Sequence, residues 1–150
     1  MNNFQREGSI SNAHVGSSFE KTIANFFRTQ GLDLTSNYSL RLGVEKIKKH
    51  HDFDLGSHEP PIIVECKSHK WTKGGNVPSA KMTVWNEAMY YFHLAPKGYR
   101  KIFFVLKDYC MRRKKTLAEY YIETHAHLIP SDVEIWEYNT ERGRGKKLPR

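Results

Sequence analysis

At 150 residues, 39% of them apolar and 13% aromatic, the chain is long enough to bury roughly 70% of its unfolded surface in one domain, which excludes a disordered tail. Two cysteines, Cys66 and Cys110, exclude a disulfide framework and point to a reducing, cytoplasmic setting; no apolar run approaches the roughly 20 residues of a bilayer span, so no membrane partner is expected, and Met1–Ala13 lacks the apolar segment of a signal peptide. Twenty-four Lys and Arg against sixteen Asp and Glu leave a formal charge of +8, a surplus that attracts polyanions, with nucleic acid the commonest of them in cytoplasm.

Residues 1–14 are polar and unpatterned and read as a flexible N-terminal arm. Gly16-Ser17-Ser18 then offers a helix N-cap, and Phe19, Ile23, Phe26 and Phe27 recur on one helix face up to a stop at Gly31. Alternation around Tyr38, Leu40 and Leu42 predicts a strand, followed by Lys46–His50 as a basic turn or strand extension. In His51–Leu55, Phe53 and Leu55 alternate against Asp52 and Asp54. Gly56–Pro61 is turn-rich and Ile62–Ser68 is strongly β-branched, so the two segments predict a hairpin. Lys70–Pro78 is a loop. Ser79–Leu94 carries Met82, Trp85, Met89 and Phe92 at helical spacing until Pro96 and Gly98. Lys101–Leu106 predicts a second buried strand, and Thr116–Leu128 a helix with Leu117, Tyr121 and Leu128 on one side. Val133, Ile135 and Tyr138 predict a short last strand, ahead of a basic tail over 141–150. The order α, β, β, β, α, β, α, β without repeats predicts a single α/β domain spanning 1–150.

The stretch His51–Trp71 concentrates the chemistry. In a strand Glu65 and Lys67 emerge on one face while Val64, Cys66 and Ser68 take the other. Hairpin pairing brings Asp54 alongside Glu65, gathering two carboxylates and an ammonium. Two hard oxygen donors at the end of a sheet suit Mg²⁺, with the backbone carbonyl of Cys66 as a neutral third. Such an ion polarises a phosphodiester, and Lys67 supports the attacking water and the transition state. A simple Glu65–Lys67 salt bridge would not explain an acid inside "PIIVECKS", a run built for a sheet interior where unpartnered charge is costly.

Asp54, ten intervening residues and then Glu65-Cys66-Lys67 in an apolar strand resembles the PD-(D/E)XK nuclease superfamily, whose pattern is an acid on one strand and E-x-K on the next. The resemblance covers most of Gly16–Leu106. It implies a restriction-endonuclease-like core: a mixed central β-sheet flanked by helices, αβββαβ, here followed by a helix and a short strand. It also implies Mg²⁺-dependent hydrolysis of DNA to 5′-phosphate and 3′-hydroxyl ends, with Mn²⁺ able to substitute. Phe53 stands where the superfamily has Pro, and Asp52 rivals Asp54, which is favoured because the motif sits immediately before the turn. Gly16-Ser17-Ser18-Phe19-Glu20 is similar to the first-helix start of Holliday-junction resolvases within the superfamily, implying Glu20 as an accessory catalytic and metal-binding residue; a plain surface acid near a helix N-terminus is the other reading.

His69 and Lys70 leave the strand at the active end and are candidate phosphate contacts, with Lys73 and Asn76 in the glycine-bearing loop and Lys81 on the next helix. Arg112, Arg113, Lys114 and Lys115 form a basic block suited to a duplex backbone, as does the tail. The histidine and cysteine spacings do not suit zinc, and Cys66 should face away from Lys67 with no partner to activate it. The expectation is therefore a homodimeric endodeoxyribonuclease of restriction or defence type; whether a methyltransferase or other subunit accompanies it is not encoded here. The alternatives are a junction resolvase and, outside enzymes, a non-catalytic nucleic-acid-binding module.

Overall fold

The apolar residues of the chain sort onto the two faces of one mixed sheet. In the computed structural model the backbone is described for residues 3–150 and side chains for residues 16–150. In chain order the elements are α1 (Asn3–Thr29), β1 (Thr35–Leu42), β2 (Lys49–Ser57), β3 (Ile62–Lys67), α2 (Ser79–Leu94), β4 (Arg100–Leu106), β5 (Tyr109–Cys110), β6 (Lys115–Thr116) and α3 (Leu117–His125). A 3₁₀ turn (Ala126–Leu128), β7 (Val133–Asn139) and β8 (Arg144–Lys147) complete it. The six-stranded sheet runs β1-β2-β3-β4-β7-β8, and β5 pairs with β6 apart from it. Strands β3, β4 and β7 are mutually parallel, while β1/β2, β2/β3 and β7/β8 are antiparallel. The expected α/β class with a mixed sheet is what the chain adopts.

One face is covered by α1: Phe19, Ile23 and Phe27 pack with Leu55, Val64, Cys66, Ile102 and Phe104. The opposite face is covered by α2 and α3, through Trp85, Met89, Phe92, Leu117 and Tyr121 against Phe53, Ile63, Phe103 and Val105. Residues one apart in β3 and β4 thus alternate between two cores, as their continuous apolar runs require. Helix α2 buries Met82, Trp85, Met89 and Phe92, the set its spacing predicts, together with Ala88. Thr116 caps α3 in a reciprocal box, accepting from the Glu119 N–H while the Glu119 carboxylate accepts from the Thr116 N–H.

The start of α1, the end of α3 and the C-terminal segment differ from the sequence reading. Gly16–Ser18 lies inside α1, because the apolar face that marks the helix begins only at Phe19; the arm expected over residues 1–14 falls outside the residues whose side chains are described. Gly31, at φ +83°, ends α1 as expected, with the Leu32 N–H returning to the Phe27 carbonyl. Leu128 is exposed, because the helix tightens to a 3₁₀ turn at Ala126 and loses the phase shared by Leu117 and Tyr121. The segment read as a basic tail pairs through Arg144–Lys147 with β7, and Leu148 is buried beyond it.

Strand β2 changes faces midway. His51 and Phe53 point to the α2 side, stacking on Tyr91 and Phe92, whereas Leu55 points to the α1 side. The slip falls at Asp54, opposite Asn37 of β1, whose φ of +54° breaks the regular pairing between Ser36↔Leu55 and Tyr38↔Phe53. Gly56 then lets the Tyr38 ring lie directly on the strand: a Cβ there would fall 2.5 Å from the ring. Gly56→Ala is expected to lower stability by about 1–3 kcal/mol through this overlap, measurable by urea denaturation; a neutral substitution would show that the tyrosine is free to move.

Candidate active site

Pairing between β2 and β3 runs from Ser57↔Ile62 to Leu55↔Val64 and then stops. Where the ladder would continue, the Asp54 carboxylate turns into the gap, and its Oδ2 accepts the Cys66 N–H at 2.7 Å. A side chain thus closes a backbone bond that β2 no longer provides. N–H and C=O of one strand residue leave on the same side, so the Cys66 carbonyl also faces this gap. Asp52, the rival acid, pairs back to Ser39 and is exposed.

Glu65 and Lys67 follow Ile63 on the α2 face of β3, as alternation predicts. Glu65 is 5% exposed, with its Oε2 3.8 Å from Lys67 Nζ and its Oε1 3.5 Å from His51 Nε2. The histidine contact lacks hydrogen-bond geometry, so Glu65 Oε1 and His51 Nε2 are both buried without a hydrogen-bond partner among the described residues. Glu20 arrives from α1, on the other side of the sheet, and lies within the electrostatic field of Asp54, Glu65 and Lys67. The fork between β2 and β3 is what allows side chains from both layers to meet.

The electrostatics follow from that crowding. Burial, then the Glu65 charge, push the Asp54 carboxyl up to about 7, against the Cys66 N–H and Lys67. Burial and Glu65 raise Glu20 as well, while Lys67 and Asp54 pull it back. Three acids thus share a single nearby ammonium, an arrangement short of positive charge. Hard oxygen donors with one buried and unbonded fit a divalent cation, which takes only one or two carboxylates when it is Mg²⁺. Among the described residues no group of three or more His, Cys, Asp or Glu side chains is placed to hold a metal ion; Asp54 and Glu65, with the backbone carbonyl of Cys66, are the oxygen donors available at the fork. Cys66 points its thiol into the α1 core, away from Lys67, where burial raises its pKa well above the ordinary range; it is no nucleophile.

Beside Lys67 lies a cleft of about 490 Å³ lined by Ser68, His69, Lys70 and Lys81. His69 is pulled down to about 4, by burial first and then by Lys81 and Lys67. Its Nδ1 accepts the Trp85 indole N–H at 2.8 Å, so the neutral ring carries its proton on Nε2. His69 therefore offers a hydrogen bond rather than a charge, while Lys67, Lys70 and Lys81 supply the charge.

The remaining basic candidates lie elsewhere. Arg112 and Arg113 bond the Gly75 carbonyl, Arg112 also reaches Asn76, and Arg113 lies 5.0 Å over the Trp71 ring, so these two arginines brace the loop that carries Lys73. Lys115 pairs with Glu123 at 2.7 Å, and Lys114 is exposed at the turn between β5 and β6. His51 was not a sequence candidate; its position two residues before Phe53, on the face of β2 that meets α2, was the available signal. Comparison with protein-family models, with curated proteins and with solved structures yields no match.

Proposed function

We propose that the chain is a Mg²⁺-dependent endodeoxyribonuclease with a restriction-endonuclease-like core, acting as a homodimer that cuts both strands of a duplex. The observation that carries this reading is the convergence of Asp54, Glu65 and Lys67 in the fork between β2 and β3, with Asp54 held by the Cys66 N–H. Asp54, Glu65 and the Cys66 carbonyl would hold the ion, which supplies Lewis acidity at a phosphate oxygen and shields developing charge. Lys67 presents its ammonium beside Glu65, where it orients water and stabilises charge on the phosphate as the bond to the leaving oxygen breaks. Lys70 and Lys81 draw the DNA backbone into the adjoining cleft, and the His69 Nε2–H gives a neutral hydrogen bond that does not compete with them.

Glu20 favours one second reading, a junction resolvase, because its carboxylate joins Asp54 from the first helix. Supercoiled plasmid and a synthetic four-way junction, each incubated with the protein in Mg²⁺ and in EDTA, separate the two. Nicking or linearisation of plasmid in Mg²⁺, lost in EDTA, is the expected result. Cleavage of the junction alone would replace restriction-type activity with resolution, and binding without cleavage of either substrate would leave a nucleic-acid-binding module.

A further inference from the structure

A second cleft, of about 340 Å³, opens on the same sheet face and is floored by Glu137. Lys67, Val105 and Glu137 lie in register on three adjacent strands, which puts Glu137 about 10 Å from Lys67 along the sheet. Glu137 is 5% exposed, and its Oε2 is buried with no hydrogen-bond partner among the described residues. The Thr116 hydroxyl, which accepts the Glu119 N–H, lines the same cleft. No cation among the described residues forms an ion pair with it, although Lys107, Arg142, Arg144 and Lys146 surround the mouth. Half-exposed Tyr109 forms one wall.

This is a buried acceptor beneath a ring of cations, with an aromatic face beside it. A divalent ion does not suit it, since four cations guard the entrance and Glu119 is committed to capping α3. A ligand that is anionic at one end and rich in N–H donors at the other does suit it. We propose that this cleft binds an unpaired guanine nucleotide, its N1–H and N2–H edge on Glu137, its ring against Tyr109 and its phosphate on Arg142, Arg144 and the flanking lysines. Guanine is the base that sets two adjacent N–H donors against a carboxylate; adenine and cytosine put a lone pair beside their amino group, and thymine offers a single donor between two carbonyls. Stacking on tyrosine and contacts from Arg and Lys supply affinity that any nucleotide would share. The role of the cleft as a reader of the strand held at Lys67 rests on the nuclease proposal; the binding itself does not.

Titration of dGMP, dCMP, dAMP and dTMP into protein in EDTA, followed by amide resonances, tests this. The expected result is that dGMP binds about 10- to 100-fold more tightly than dTMP, with shifts centred on Thr116, Glu137 and Arg144. Glu137→Gln, nearly isosteric and checked for an undiminished Tm, should abolish the preference for guanine, and Tyr109→Ala should weaken all four nucleotides by about tenfold. Equal affinities for the four, a guanine preference that survives Glu137→Gln, or shifts confined to the cleft beside Lys67 would each overturn it. No divalent ion is present, so these outcomes do not depend on cleavage, and a failure to cleave leaves them untouched.

Discussion

Lys67→Ala is expected to lower Mg²⁺-dependent DNA cleavage by roughly 10²–10³-fold, the cost of removing one preorganised donor from a developing anion, while DNA affinity changes by less than about tenfold because only one phosphate contact is lost. The asymmetry follows from position. Lys67 is the cation that tempers both Asp54 and Glu20, and it stands 3.8 Å from Glu65, whereas Lys70 and Lys81 remain to hold the backbone in the cleft. A lysine that served only to pair with Glu65 would behave differently. Both side chains are largely buried, so breaking a purely structural pair would leave Glu65 uncompensated at a cost of about 3–5 kcal/mol, and its loss would show in thermal stability with cleavage intact. Single-turnover cleavage and DNA binding, measured on the same variant, separate the two roles, and retention of wild-type cleavage would remove Lys67 from the chemistry.

The placement of Lys67 was readable because β3 is a regular strand: Glu65 and Lys67 fall on one face and Cys66 on the other, as alternation requires. Helix α2 was legible for the same reason, since its apolar residues keep one period from Met82 to Phe92. What escaped was irregular. Alternation predicts that Phe53 and Leu55 share a face, but the slip at Asp54 separates them, and it depends on a left-handed Asn37 in a different strand. No local pattern in β2 encodes that. The same slip turns Asp54 into the gap and brings His51 against Tyr91 and Glu65, so the residue missed by sequence and the residue favoured over Asp52 have one structural cause. Strand β8 escaped because Arg144–Lys147 carries no apolar alternation; it is held by backbone pairing to β7, which a side-chain pattern cannot report.

Asp54→Asn is expected to make the metal-free protein more stable at neutral and alkaline pH while removing its response to Mg²⁺. Burial, reinforced by the charge of Glu65, lifts the Asp54 carboxyl from its ordinary 3.8 to about 7. A group whose pKa rises on folding contributes stability that is complete below its unfolded pKa and is lost as pH climbs through the folded one. In the wild type without metal, that contribution is therefore present near pH 3.8 and gone above about pH 7. Asparagine keeps an oxygen for the Cys66 N–H and carries no charge, so this loss is absent from the variant. At pH 8 the difference is of order 2–4 kcal/mol, or about 5–10 °C in Tm for a domain of this size. Mg²⁺ should reverse the ranking: it stabilises the wild type in proportion to occupancy and finds one carboxylate fewer in the variant. Melting curves in EDTA and in millimolar Mg²⁺ at pH 5 and pH 8 decide the matter. If Asp54→Asn melts lower than the wild type at pH 8 in EDTA, the carboxylate is already neutralised by the chain itself; if Mg²⁺ then raises both proteins equally, the fork between β2 and β3 is a polar cap on a strand end and holds no ion.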